Sequence, residues 1–215
     1  VEILELVSQF RSTGADDYIA WLDNALGVQS SEETTFSSEK FDFRVIDSPQ
    51  ELHDLIREKN EGNNKSRVVA GYDWNWVSQK NPKAMDIVIG DYAAQWNLKS
   101  YGNEWIKHNK SIDEVGCIHT CQGLEVDYVG VIVGDDLIFS KSELITNPEA
   151  RAKTDASLKG YKKELASNPE EAKLKADRLI RNTYRTLMTR GMKGCYVYFT
   201  DKAASDYFKS LLPNS

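Results

Sequence analysis

A strand that shows one face to water must alternate apolar and polar side chains, and Val129-Gly130-Val131-Ile132-Val133 does not. Five consecutive residues without a polar side chain suit a position covered on both faces, such as the centre of a parallel sheet between two layers of helix. Val115–His119 is a second near-continuous run of this kind, and Ile3–Phe10, Val68–Tyr72, Asp86–Ile89 and Cys195–Thr200 read as further short strands. Phe41–Ile46 alternates as a half-buried strand. Between the strands lie amphipathic stretches. Asp16–Leu26 places Ile19, Leu22 and Leu26 on one stripe and stops at Gly27. Ser48-Pro49-Gln50-Glu51 opens a helix, with serine able to cap it, proline at the first helical position and glutamate three residues after the cap. Leu179, Ile180, Thr183, Tyr184, Leu187 and Met188 restore helical spacing, Gly191 and Gly194 are expected to stop that helix, and Ala203–Leu212 is a last one. Strands alternating with helices predict an α/β fold with a mainly parallel sheet flanked by helices on both faces.

The chain is long enough for a substantial apolar core: 215 residues, 40% of them hydrophobic. Three cysteines make no disulfide framework, and no run approaches the ~20 apolar residues of a membrane-spanning helix. The expected location is the cytoplasm, with no membrane partner. Val1-Glu2-Ile3-Leu4 carries neither an initiator methionine nor a basic leader, so a piece of a longer protein is expected. Charge is uneven. Residues 1–140 hold 12 Lys/Arg and 24 Asp/Glu, whereas 141–215 hold 15 and 9, so a net −12 is followed by +6 and the chain totals −6. That balance excludes an autonomous, strongly basic DNA-binding domain and leaves nucleic-acid contact local or shared. One domain spanning 1–215 is expected, with a charged helical insertion at about 138–176.

Three segments at strand or helix ends carry the chemistry. They are Ser8-Gln9-Phe10-Arg11-Ser12, then Ile118-His119-Thr120-Cys121-Gln122-Gly123-Leu124-Glu125-Val126-Asp127-Tyr128, then Asn182-Thr183-Tyr184-Arg185-Thr186-Leu187-Met188-Thr189-Arg190-Gly191. In this order they resemble motifs IV, V and VI of superfamily-1 helicases, which lie on the second of two RecA-like domains. More narrowly, Gly116–Glu125 together with Tyr184–Gly194 resembles the Schlafen group III-like DNA/RNA helicase family, over about Glu2 to Asp201.

The resemblance implies a RecA-like P-loop-NTPase-type fold and a role for each matching residue. Arg190 matches the motif VI arginine finger and Arg11 the motif IV arginine, both directed at the γ-phosphate of ATP. A fixed guanidinium fork fits phosphate oxygens in a way that a lysine point charge does not. Gln9, Gln122, Gly123 and Glu125 match nucleotide-contacting positions, with Glu125 at the ribose, and His119 and Thr120 match positions that contact nucleic-acid phosphates. The partners implied are DNA or RNA and an N-terminal RecA-like domain of the same protein. ATP and Mg²⁺ would be bound mainly by that domain, because this sequence contains no Gly-x-x-x-x-Gly-Lys-[Ser/Thr]. The fragment alone is then expected to be inactive.

Other readings compete. An arginine is commonly a solvated partner of a carboxylate, and Arg185 reads as structural. A catalytically inert RecA-like scaffold would need none of the matched residues. Cys117-x-His119-x-Cys121 with Cys195 invites zinc, but Cys117 falls within an apolar strand and buried reduced thiols fit better, so no metal site is expected. A Cys121–His119 hydrolase lacks an orienting third group. Tyr72, Trp74, Trp76, Trp96 and Trp105 could stack bases, although core packing is the commoner use. The lysines of Ser140–Lys175 are interleaved with acids and read as a solvated helix.

Overall fold

The computed structural model describes residues 16–30, 35–97, 104–120 and 126–212. In chain order these form α1 (Asp16–Leu26), β1 (Asp42–Val45), α2 (Pro49–Asn60), β2 (Ser66–Ala70), β3 (Ile87–Ile89), β4 (Tyr92–Trp96), β5 (Glu114–Gly116), β6 (Val126–Val133), β7 (Leu137–Ser140), β8 (Glu143–Thr146), α3 (Tyr161–Ser167), α4 (Pro169–Met188), β9 (Gly191–Phe199) and α5 (Lys202–Ser210). Seven strands make one sheet in the order β1-β9-β6-β2-β5-β4-β3. Every pairing is parallel except that of β3 with β4, an antiparallel edge hairpin. The expected strand Ile3–Phe10 lies outside the described residues.

The doubly apolar run of β6 explains the layering. Val129, Val131 and Val133 pack under α1, α4 and α5, while Ile132 faces the opposite core with Leu52 and Ile56 of α2. Gly130 sits beneath α2, where a Cβ would come within 2.8 Å of Ile56 Cγ1, so glycine sets how closely this helix approaches. Ser48 caps α2, its Oγ accepting the Glu51 N–H at 3.3 Å. The core under α1 is aromatic: Tyr18 stacks on Phe41 at 3.9 Å, and Trp21 meets Phe43 edge-on at 4.9 Å. Arg185 ties α4 to α1 through Asp23, with Nη2 to Oδ2 at 2.9 Å.

Two expectations change, and one strand is added. Helix α4 ends at Met188, and Gly191 and Gly194 belong to β9 rather than stopping the helix. A Cβ at Gly191 would lie 2.0 Å from the Gly194 carbonyl oxygen, and one at Gly194 would lie 2.5 Å from the Asp42 oxygen, where the β6–β9 register shifts. Tyr92–Trp96, to which the sequence reading assigns no element, is a strand. The charged excursion is also more structured than its composition implies. It contains the β7–β8 hairpin, which buries Leu137 and Leu144, and its expected end near 176 falls inside α4.

Candidate functional site

The parallel sheet has two chemically different edges, and the predicted site residues divide between them. At the C-terminal edge, the chain leaves β5 through Cys117-Ile118-His119-Thr120. The Thr120 hydroxyl accepts the Cys117 N–H at 3.0 Å and donates to Asn97 Oδ1 at 2.9 Å, which fixes the turn and leaves His119 exposed on its rim. These residues share a cleft of about 320 Å³ with Tyr72, Trp76 and Asn97. Trp96 supports the Tyr72 wall from the core: the two rings stack at 5.4 Å and 12°, and Trp96 Nε1 donates to Trp74 O at 3.2 Å. Trp96 and Trp105 are core residues, 0% and 1% exposed, whereas Tyr72, Trp74 and Trp76 are half-buried.

Beside this cleft is a buried ionisable cluster that the motifs do not announce. Strands β2 and β6 both run into Gly-x-Asp, giving Asp73 and Asp136. Glycine is required in each because a Cβ at Gly71 would lie 2.1 Å from the Tyr184 oxygen and one at Gly134 would lie 1.8 Å from Asp73 Oδ2. Tyr184 of α4 bridges the two acids. Its oxygen accepts the Gly134 N–H at 3.1 Å, makes a short bond to Asp136 Oδ1 and lies 3.2 Å from Asp73 Oδ2. A phenol has one proton. If Tyr184 gives it to Asp136, the contact with Asp73 must use a proton on the Asp73 carboxyl. Electrostatics agree, since burial and the neighbouring Asp136 push the Asp73 carboxyl up to about 9. Arg151 closes the cluster, Nη1 lying 3.3 Å from Asp136 Oδ2 and Nε 2.7 Å from Asp155 Oδ2, the latter an ion pair by distance without hydrogen-bond alignment. Asp73 Oδ1 is buried without a partner.

Arg190 occupies the opposite edge. It follows α4 and precedes β9, and its carbonyl accepts the N–H of Val126, the first residue of β6, at 3.1 Å. Val69 is level with both Gly116 and Val131, so Arg190 and the β5 turn are separated by at least the Val126–Val131 span, roughly 16 Å at a strand's ~3.3 Å per residue. Arg190 Nε donates to Thr186 O at 3.2 Å, and among the described residues its two Nη nitrogens are not bonded. Arg44, Arg57, Arg151, Arg181 and Arg185 each sit against an aspartate; Arg190 does not. Of the other two described arginines without an ion pair, Arg67 spends its guanidinium on Ser111, Asn60, Asn64 and backbone carbonyls, while Arg178 is exposed. A half-buried guanidinium fork without an internal carboxylate fits an external anion such as a phosphate.

The remaining candidates, Gln9, Arg11, Gln122, Gly123 and Glu125, lie outside the described residues, as does Cys121. In sequence, Gln122–Glu125 fall between Thr120, in the turn after β5, and Val126, whose N–H is bonded to the Arg190 carbonyl. Cys117 and Cys195 are both buried, but in the cores on opposite faces of the sheet, so they cannot share one zinc ion. No helix among the described residues is long and apolar enough to cross a membrane.

Comparison with known proteins agrees with this architecture. A family model described as the Schlafen group 3, DNA/RNA helicase domain matches residues 1–201. The chain is also 26% identical over 212 residues to the uncharacterized protein YPL245W of Saccharomyces cerevisiae, covering 91% of this chain but 45% of that protein. It thus spans less than half the length of that relative. The mainly parallel seven-stranded sheet with helices on both faces is consistent with a RecA-like domain, and the chain belongs to the Schlafen group 3 DNA/RNA helicase domain family.

Proposed function

We propose that the chain is the C-terminal RecA-like half of a nucleic-acid-dependent ATPase or helicase, and that it lends an arginine to ATP held on an N-terminal RecA-like domain of the same protein. The observation that carries this reading is the state of Arg190: half-buried, anchored through Nε, and without a carboxylate on its Nη nitrogens among the described residues. In this reading the Mg²⁺-bound nucleotide supplies the γ-phosphoryl group whose charge needs stabilising. Arg190 and Arg11 both serve that charge, in this reading, from across the domain cleft. Gln9, Gln122, Gly123 and Glu125 contact the nucleotide. The chain from Glu125 back to Thr120 and His119 links that cleft to nucleic acid at the other edge of the sheet, so cleft closure and strand movement are coupled through one segment.

An arginine supplied from a second domain contributes ~10³–10⁵ in turnover. In the full-length protein, Arg190→Ala is expected to reduce ATP turnover by that order while ATP affinity changes little. Unchanged turnover removes the arginine-finger role, whereas absence of turnover in the wild-type protein as well favours the inert scaffold.

A further inference from the structure

We propose that residues 147–163 form a single-stranded nucleic-acid track along the C-terminal edge of the sheet, with lysines holding backbone phosphates and the Tyr72–Trp76 cleft taking one unstacked base. The proposal deepens the function above and rests on it.

The segment is a fixed strap. Ala152 N–H donates to Tyr72 O at 2.9 Å, directly beyond β2, and Arg151 is locked into the buried Asp136–Asp155 cluster. Its two sides differ. Toward His119, Thr154, Asp155 and Ala156 wall the cleft of about 320 Å³, in which half-buried Tyr72 and Trp76 stand beside the polar groups of Asn97 and His119. This is close to the lower limit for a small-ligand site and suits one planar base. On the other side, the same three residues wall a larger cleft of about 740 Å³ that also takes in Lys153, Lys159, Lys162 and Lys163.

Charge decides what the larger cleft attracts. All four lysines are exposed, and none forms an ion pair with a described residue. The acids expected to neutralise them are committed elsewhere: Asp155 to Arg151 at 2.7 Å and Glu164 to Lys175 at 2.6 Å. Glu149 is the acid left on that wall, so four positive charges face one negative. The lysines that do behave as an ordinary solvated helix face are Lys173 and Lys175, which pair with acids of α3 and α4. Contiguous basic and aromatic clefts are the two parts of a single-strand site: phosphates give salt-dependent affinity, and a ring contact accepts a base only after it has left its stack. A duplex presents no such base.

The test is equilibrium binding of the full-length protein to fluorescent 20-nucleotide oligothymidylate, oligouridylate and a blunt DNA duplex across a salt series. Replacing the four lysines together (Lys153→Gln, Lys159→Gln, Lys162→Gln, Lys163→Gln) should reduce the slope of log affinity against log salt by about 2.8, at ~0.7 per single-strand phosphate contact. Trp76→Ala should weaken single-strand binding about 5- to 100-fold with the slope preserved. The exposed lysines bear no structural load, so the quadruple variant should melt with the wild type. Wild-type affinity and slope in the lysine variant would overturn the track, as would tighter binding of the duplex than of either single strand. The thymidylate and uridylate arms compare a DNA with an RNA single strand, which differ in the 2′-hydroxyl and the base methyl. Loss of turnover in Arg190→Ala is read separately: if the lysine variant binds normally while Arg190→Ala is inactive, the track fails and the motor stands, and the reverse pattern sinks the motor alone.

Discussion

Replacing Asp73 with asparagine should flatten the decline of stability with rising pH. In the folded chain the Asp73 carboxyl retains its proton to about pH 9, because it is buried beside Asp136 and has a contact with Tyr184 that needs that proton. In the unfolded chain it ionises near its ordinary value of ~3.9. Between those limits the folded state holds one more proton than the unfolded state. Stability contributed by this site is therefore greatest at low pH and falls by ~1.4 kcal/mol per pH unit as pH rises toward the folded value. From pH 6.5 to 8 the loss is about 2 kcal/mol, or roughly 4–8 °C in Tm for a domain of this size. Asparagine keeps the shape and has a donor where the carboxyl proton stood, but nothing to ionise. Thermal melts of wild type and Asp73→Asn at half-unit pH intervals should therefore diverge, the variant gaining relative stability as pH rises. Parallel curves would show that Asp73 is ionised in the folded protein and that the proton count at Tyr184 is wrong.

Two further predictions concern packing on the α2 face. His53 is buried between Tyr92 Oη at 2.8 Å from Nδ1 and Ile112 O at 2.7 Å from Nε2, and desolvation lowers its pKa, so the contribution of this site is complete above pH 6.5 and lost as pH falls below it. His53→Gln should remove that acid-side slope in melts between pH 7 and 5, and an unchanged slope would assign it to other groups. Gly130→Ala should lower the urea midpoint by the equivalent of about 1–3 kcal/mol, because the new methyl meets Ile56 Cγ1 at 2.8 Å; an unshifted midpoint would mean that α2 is free to move out.

What could be read from the sequence divides along a physical line. Helix α1 and the Ser48 cap are local events, set by side-chain spacing and one hydrogen bond, and both occur where the sequence places them. The two-faced burial of β6 follows directly from its unbroken apolar run. A glycine's role, by contrast, depends on what approaches it in space, which sequence spacing does not carry. Gly191 and Gly194 look like helix stops in the sequence and are close-approach positions in a strand. Strand β4 carries its signal in the alternation of buried Tyr92, Ala94 and Trp96, but it is only five residues long and follows β3 after Gly90-Asp91. The Asp73–Asp136–Tyr184–Arg151 cluster joins residues up to 111 positions apart, and its one sequence trace is the repeated Gly-x-Asp after β2 and β6. Lys153, Lys159, Lys162 and Lys163 are interleaved with acids in the sequence, but pairing is three-dimensional, and Asp155 and Glu164 are held by Arg151 and Lys175.

The central claim, that Arg190 serves the transition state of ATP hydrolysis on a partner domain, is tested most directly by analogue binding. The affinities of full-length wild type and Arg190→Ala should be compared for ADP–aluminium fluoride, which mimics the transferring phosphoryl group, and for a non-hydrolysable ATP analogue. The account predicts a loss of ~10³-fold or more for the fluoride complex with little change for the ATP analogue. Equal losses for both, or none for either, would contradict it.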